Sequence, residues 1–335
     1  ITKKEWSGEL LDSWGIRADL LPELHASTDI AGTVTKDAAR QTGLAEGTPV
    51  VIGGGDGSCS CVGAGAVTEG LAYNAIGTSS WISMATKEPI FDEKMRTFNF
   101  VHLDNNLYTP CGTMQAAGCS YSWYRDTLCR QEKEEADKLG INAYVLMDEQ
   151  IKNSPPGADG MLYLPYLLGE RSPHWNINCR GAFIGIDIST QKCDFTRAVL
   201  EGVGFNLKTI LNIFCDFTDI QSLNVVGGGA KGKAWLQILA DIWQKPLYVP
   251  MYLEEATSIG AAVCGGIGVQ AFNDFSVIRK FNSIQSEVRP NPDNAKVYEK
   301  IYQSFVHAYE QLIPIYDELA IQKSSNNKMG CSKIV

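Results

Sequence analysis

The sequence has no C-x-x-C pair, no cluster of cysteine with histidine, and only four histidines, His25, His102, His174 and His307, far apart in the chain. That spacing argues against a zinc site. The ten cysteines are scattered, and several sit in apolar helical contexts of the kind that hold buried free thiols. A reducing, cytoplasmic compartment is therefore expected. Positive charge is also in short supply: 29 Lys and Arg against 38 Asp and Glu leave a net charge of −9. The surface as a whole is not built to attract nucleic acid or an anionic membrane. No apolar run approaches the ~18 residues of a membrane span, and no signal peptide is visible. The chain begins at Ile1 and enters at Thr2–Trp6 without an initiating element, from which a missing N-terminal portion is expected.

What is present is a 335-residue chain with 44% apolar residues, enough for two domains or one large one with a real core. Val50–Ile52 reads as a buried strand running into Gly53-Gly54-Gly55-Asp56-Gly57. Leu71–Ile76 and Trp81–Ala85 read as a hairpin around Gly77-Thr78-Ser79-Ser80. Further strands are expected at Phe98–Leu103 and Tyr108–Cys111, then a helix from about Met114 to Arg130, with Glu132–Lys138 as a solvated helix face. Asp194 is expected to N-cap a helix reaching Phe214. Leu223–Val226, three glycines and a helix Lys233–Trp243 follow, and a long amphipathic helix spans Glu299–Leu319. Residues 322–335 read as a disordered tail. Strand, glycines and helix thus occur at Gly53–Gly55 and again at Gly227–Gly229, which fits two glycine turns converging on one ligand in an α/β architecture.

Three glycine turns compete for a phosphate. Gly77-Thr78-Ser79-Ser80 has small residues that leave backbone N–H groups open and hydroxyls beside them. Gly227–Ala234 nearly matches G-x-x-x-x-G-K-[ST], but Ala234 has no hydroxyl for Mg²⁺. A P-loop is thus one reading of it, and approach to a nucleotide from another side is the other. Gly266–Ala271 is a loose G-x-G-x-x-A that follows a helix, where a dinucleotide site is not expected. Thr28–Thr33 resembles the Asp-Ile-Gly-Thr phosphate turn of actin-like ATPases, but an Ala separates Ile from Gly, and it is read as a connecting loop. Asp56 is either a turn former or the base for a substrate hydroxyl. One carboxylate beside an anion-binding turn is what phosphoryl transfer to a hydroxyl requires. Arg171, Arg180 and Lys233 are candidate positive partners, each also readable as a surface charge or, for Arg180, a loop anchor.

Several stretches together resemble the FGGY family of carbohydrate kinases, most closely its xylulokinase branch: "GTPVVIGGGDG", "AYNAIGTSSWIS", "LYLPYLLGERSPHWNINCRGAFIGI", "DFTRAVLEGVGF", "VVGGGAKGKAWLQILADI" and "EEATSIGAAVCGG". They stand in family order from the first residues to about Ala320. The resemblance implies an actin-like ATPase, ribonuclease H-like fold. Residues 1–66 would be the closing segment of the N-terminal sugar-binding domain and 67–321 the C-terminal nucleotide-binding domain. It implies Asp56 as catalytic base, and Gly77, Thr78 and Ser79 as the phosphate motif. Gly118 would lie in a nucleotide-contacting segment, and Gly228, Gly229 and Lys233 on the adenosine-side turn. ATP with Mg²⁺ and a sugar, most closely D-xylulose, are the implied partners, and a homodimer is among the expected states. Gluconate, glycerol and ribulose are the alternative substrates. A catalytically incomplete nucleotide-binding fragment is the alternative of another class.

Overall fold

The computed structural model describes residues 1–331, with side chains described through 322. The first stretch consists of short pieces. Helix α1 (Gly8–Trp14) starts where Ser7 accepts from the Leu10 N–H and stops at Gly15, φ +66°. Strand β1 (Ile30–Thr33) follows, then α2 (Lys36–Thr42), capped by the Thr35 hydroxyl on Ala38 N–H and ended by Gly43. Strand β2 (Pro49–Val51) pairs antiparallel with β1, with Ile30 opposite Val51. The segment expected to be a connecting loop at Thr28–Thr33 is therefore strand over its last four residues, because its backbone groups find partners on β2. Helix α3 (Asp56–Gly63) comes next and buries every residue from Ser58 to Gly63.

The main sheet has seven strands. Four come as an antiparallel set: β3 (Ala72–Ile76), β4 (Ser80–Met84), β5 (Phe98–Val101) and β6 (Tyr108–Met114). Strand β6 runs three residues past the expected end, because Gly112, Thr113 and Met114 pair with β4 up to Ser80. The helix expected from Met114 therefore begins later, as α4 (Gly118–Leu128), and Cys129 (φ −115°, ψ 41°) breaks it from α5 (Arg130–Leu139). Helix α6 (Ala143–Ile151) is capped by Asn142. In α5 the expected solvated face is breached at Glu132, which is buried and bonded to Lys192 at 2.5 Å and Gln150 at 2.7 Å.

Strands β7 (Leu162–Leu164) and β8 (Ala182–Ile184) form a separate pair that leads into α7 (Lys192–Cys215). Its N-cap is Gln191, whose backbone N–H donates to Asp194 Oδ2 at 2.8 Å. Asp194, expected as the cap itself, is the third helical residue of a capping box and also accepts the Ser154 hydroxyl. By length and composition α7 could cross a membrane, but 78% of its apolar window is buried inside the protein, as befits a core helix. It packs against α8 (Lys233–Trp243), which follows strand β9 (Leu223–Val226). Strand β10 (Leu247–Pro250), α9 (Ala256–Gly268), α10 (Ile278–Phe281), β11 (Ile284–Val288) and α11 (Ala295–Cys331) complete the order. The expected tail at 322–335 falls on the end of α11, whose side chains from 323 are not described, and on 332–335, outside the described residues.

The strand order β11-β10-β9-β3-β4-β6-β5 decides where a ligand can sit. Strands β3 and β9 are parallel neighbours at its centre, Ala75 opposite Val226. Their carboxyl ends therefore leave the sheet on the same edge, and the turns at Gly77 and Gly227 emerge side by side. That edge is where α/β sheets place ligands.

Candidate functional site

The first turn is held from behind by α4. Gly118 N–H donates to the Gly77 carbonyl at 2.9 Å, while Ala117 and Cys119 N–H donate to the Thr78 carbonyl at 3.1 and 3.0 Å. A trans peptide points its N–H opposite to its C=O. Carbonyls drawn back toward α4 therefore turn the Thr78 and Ser79 N–H groups outward. Neither N–H has a partner among the described residues, and Thr78 is exposed. The approach of α4 is closer than a side chain allows: a Cβ on Gly118 would lie 2.3 Å from the Gly77 oxygen.

The second turn comes off β9. Gly227 has φ +86°, and a Cβ there would meet the Ile76 oxygen at 2.6 Å, so both conformation and space require glycine. Ala230 and Gly232 N–H donate back to Gly227 and Gly229, while the N–H groups of Gly228 and Gly229 have no partner among the described residues. With two of its amides consumed internally, this loop is not a P-loop cradle.

Between the turns lies a cavity of about 620 Å³. Gly77, Thr78 and Gly118 wall one side, and Gly228, Gly229 and Lys231 the other. Its far end is aromatic. Tyr121 of α4 stacks on Tyr144 of α6 with centroids 4.8 Å apart, and Trp235 of α8 meets Tyr121 edge-on at 6.0 Å. Asp148 of α6 accepts the Tyr121 hydroxyl at 2.9 Å. Burial pushes both the Asp148 carboxyl and the Tyr121 hydroxyl above their ordinary ranges. At the mouth Lys231 and Glu254 form an exposed ion pair at 2.8 Å. The cavity thus has open amides at one end for an anion and flat rings at the other for a planar group.

Of the residues singled out from sequence, Gly77, Thr78, Gly118, Gly228 and Gly229 line one cavity, and Ser79 adjoins it through its amide. Lys233 does not line it. It is exposed, the first residue of α8, and Lys231 stands at the cavity in its place. Asp56 is the first residue of α3, exposed, and Oδ1 accepts the Gly57 N–H at 2.8 Å; it does not line this cavity. The turn that meets Gly227–Gly229 is therefore Gly77–Ser79 and not Gly53–Gly55, because β2 belongs to the two-stranded sheet and not to the large one. The third motif is a packing device: Gly266 and Gly268 lie inside α9, and a Cβ on Gly268 would strike Thr28 O and Val51 at 2.7 Å. Arg180 anchors its own loop through the Ile177 and Cys179 carbonyls. Tyr121, Tyr144, Asp148, Lys231 and Glu254 were missed from the sequence. Lys231 lies inside the near-Walker pattern, Tyr121 in the segment of Gly118 and Glu254 in the stretch "EEATSIGAAVCGG", whereas Tyr144 and Asp148 lie in no motif.

Among the described residues no group of three or more His, Cys, Asp or Glu is arranged to hold a metal, and the nine cysteines whose side chains are described are free thiols.

Comparison with known proteins accounts for the arrangement. The model of the FGGY family of carbohydrate kinases, C-terminal domain, matches residues 72–269, and that of its N-terminal domain matches residues 1–63. The chain is 32% identical over 311 residues to xylulose kinase of Bacillus subtilis (strain 168), covering 92% of this chain and 60% of that protein. It is 32% identical over 326 residues to gluconokinase of Bacillus licheniformis, covering 96% of this chain and 63% of that protein. The solved structure of a ligand-bound xylulose kinase from Lactobacillus acidophilus superposes with a TM-score of 0.86 at 25% identity, over 95% of this chain and 63% of that one. The chain spans about 60% of the length of the curated relatives it matches.

Proposed function

The chain belongs to the FGGY family of carbohydrate kinases and has their actin-like ATPase fold, and from this premise we propose that it transfers the γ-phosphoryl group of ATP to a sugar hydroxyl, D-xylulose foremost. The observation that carries the proposal is the pair of turns with open amides, Thr78 and Ser79 facing Gly228 and Gly229, at one end of a cavity with aromatic walls. The amides receive phosphate oxygens, and the face of Tyr121, Tyr144 and Trp235 receives the adenosine end. Asp56 takes the proton from the sugar hydroxyl. It stands at the start of α3, where residues 1–66, the closing part of the sugar-binding domain, meet the nucleotide-binding residues 67–321. The loose transition state of phosphoryl transfer asks little of the base beyond position.

Mg²⁺ would enter with the nucleotide's phosphates, an arrangement that asks only one or two carboxylates of a protein. Bound so, it neutralises charge on the transferring group. The chain's own residues orient the phosphates by their peptide planes, and Asp56 supplies the base. The free, mostly buried thiols agree with the cytoplasm as the compartment.

The relatives' names divide among xylulose kinase, gluconokinase and autoinducer-2 kinase, so the sugar is to be read from a panel. ADP release with Mg·ATP and D-xylulose, gluconate, glycerol or ribulose should be fastest with D-xylulose. Asp56→Ala should lower kcat by about 10³-fold with ATP affinity unchanged; near-normal turnover would remove Asp56 from its role. The second reading, a nucleotide-binding module without turnover, is favoured by the exposed Asp56, whose carboxylate has no partner but the Gly57 N–H among the described residues. It requires ADP binding with no sugar-dependent ADP release.

A further inference from the structure

Glu170 is only 3% exposed and does not line the cavity, yet it is bound to the element behind the first turn. Its Oε1 accepts the Gln115 N–H at 2.7 Å and the Arg171 N–H at 2.9 Å. Its Oε2 accepts from Asn206 Nδ2 at 2.9 Å. Asn206 is fully buried in the middle of α7, and its Oδ1 accepts the Tyr166 hydroxyl at 3.3 Å. The carboxylate therefore reaches from the rigid core helix to the first residue after β6. Burial pushes Glu170 up to about 8 against the pull of its three donors. A carboxyl group buried in such a place is costly unless its hydrogen bonds are made.

What they fix follows along the chain. Gln115 opens the β6–α4 connection, and two to four residues later Ala117, Gly118 and Cys119 donate to the carbonyls of Gly77 and Thr78. Those bonds turn the Thr78 and Ser79 amides outward. The connection is held at its start by Glu170 and at its end by the turn it orients.

We propose that Glu170 is a positioning residue for the phosphate turn, acting through Gln115 and the β6–α4 connection on the direction of the Thr78 and Ser79 amides. The inference rests on the nucleotide reading of the cavity given above. It assigns a role to a residue that does not line the cavity.

Two variants separate reach from charge. Glu170→Asp draws the carboxylate back by about 1.5 Å, one carbon–carbon bond, and loses Gln115. Glu170→Gln keeps the length, and its Oε1 still accepts both backbone N–H groups. In the nucleotide-free protein, amide hydrogen exchange at residues 115–119 should be about tenfold faster in Glu170→Asp and near wild type in Glu170→Gln. ADP affinity, measured by calorimetry, should fall about tenfold in Glu170→Asp, whereas adenosine, which has no phosphate, should bind as before. Unchanged exchange at 115–119 in Glu170→Asp overturns the inference. So does an equal loss of ADP and adenosine, which marks general damage. A wild-type protein that binds neither ligand overturns the nucleotide reading of the cavity, while the exchange measurement still decides the role of Glu170.

Discussion

Replacing Gly260 with alanine would place a methyl carbon 1.9 Å from the Cys59 carbonyl oxygen and 3.0 Å from Gly63 N. An ordinary carbon–oxygen contact is about 3.3 Å, so α3 and α9 must part by roughly 1.4 Å. The seam offers no slack. A Cβ on Gly63 would fall 1.6 Å from the Ala256 oxygen, which shows how closely the two helices cross. Behind α3, Leu103 already fills the space beside Gly54, and behind the far end of α9 stand Thr28 and Val51. Such overpacking costs about 1–3 kcal/mol, enough for a melting point several degrees lower. With Asp56 as the proposed base, the functional effect should exceed the stability effect, because α3 begins with Asp56, three residues before Cys59. A shift of about 1 Å in a reacting group costs on the order of 10²-fold in rate. The cavity turns follow β3 and β9 and are held by α4, and neither Gly63 nor Gly260 lines the cavity. Gly260→Ala should therefore lower kcat for sugar phosphorylation about 10²-fold with ADP affinity within about twofold, as read by coupled ADP-release kinetics and calorimetry. A folded variant with kcat within about threefold of wild type would refute the placement of Asp56 through this helix pair.

The other predictions concern the turns and the buried acid. Gly118→Ala drives a Cβ against the Gly77 oxygen and should weaken ADP at least about tenfold, while adenosine holds; calorimetry with both ligands checks it. Lys233→Ala should change ADP affinity by no more than about twofold, because the side chain is exposed and outside the cavity; a loss of phosphate binding would restore the P-loop reading. Glu170 sets a pH dependence. Its folded value, about 8, is raised from 4.5, so its stability contribution is full below about 4.5 and is lost as pH rises through about 8. Urea unfolding should show wild type losing up to about 5 kcal/mol over that window, and Glu170→Gln should lack that share of the loss.

The hairpin at 72–84 and the Gly227–Gly229 turn could be read from sequence because their signals are local: alternating or apolar strand residues around a short glycine turn. The α8 helix, Lys233–Trp243, matched its expected bounds for the same reason, a clear apolar stripe after a glycine turn. The pairing of these two turns was implied by the family resemblance but not by any local signal. It depends on β9 lying parallel to β3, strands almost 150 residues apart in sequence, and on α4 approaching Gly77 within a distance only glycine allows. Nothing local distinguishes Gly53–Gly55 from Gly77–Ser79 as partner of the second turn. Helix α6, which supplies Tyr144 and Asp148, starts from one Asn cap and buries only Met147 and Ile151, so its periodicity is faint. Gln191 displaced Asp194 as cap because a capping box satisfies two backbone groups where a lone Asp satisfies one.

The inward bonds from α4 to the Gly77 and Thr78 carbonyls put two sets of dipoles in series. The positive end of the helix is spent on the turn, and the turn's own peptides carry it on to the Thr78 and Ser79 amides. Attraction for an anion there comes from fixed partial charges that no proton can neutralise. Lys231, the lysine among the described lining residues, is already matched by Glu254. A chain of net charge −9 can thus hold a polyanion without a cationic patch that would also gather nucleic acid or anionic lipid. On the proposed function, selectivity for phosphate would then lie in the direction of two peptide planes.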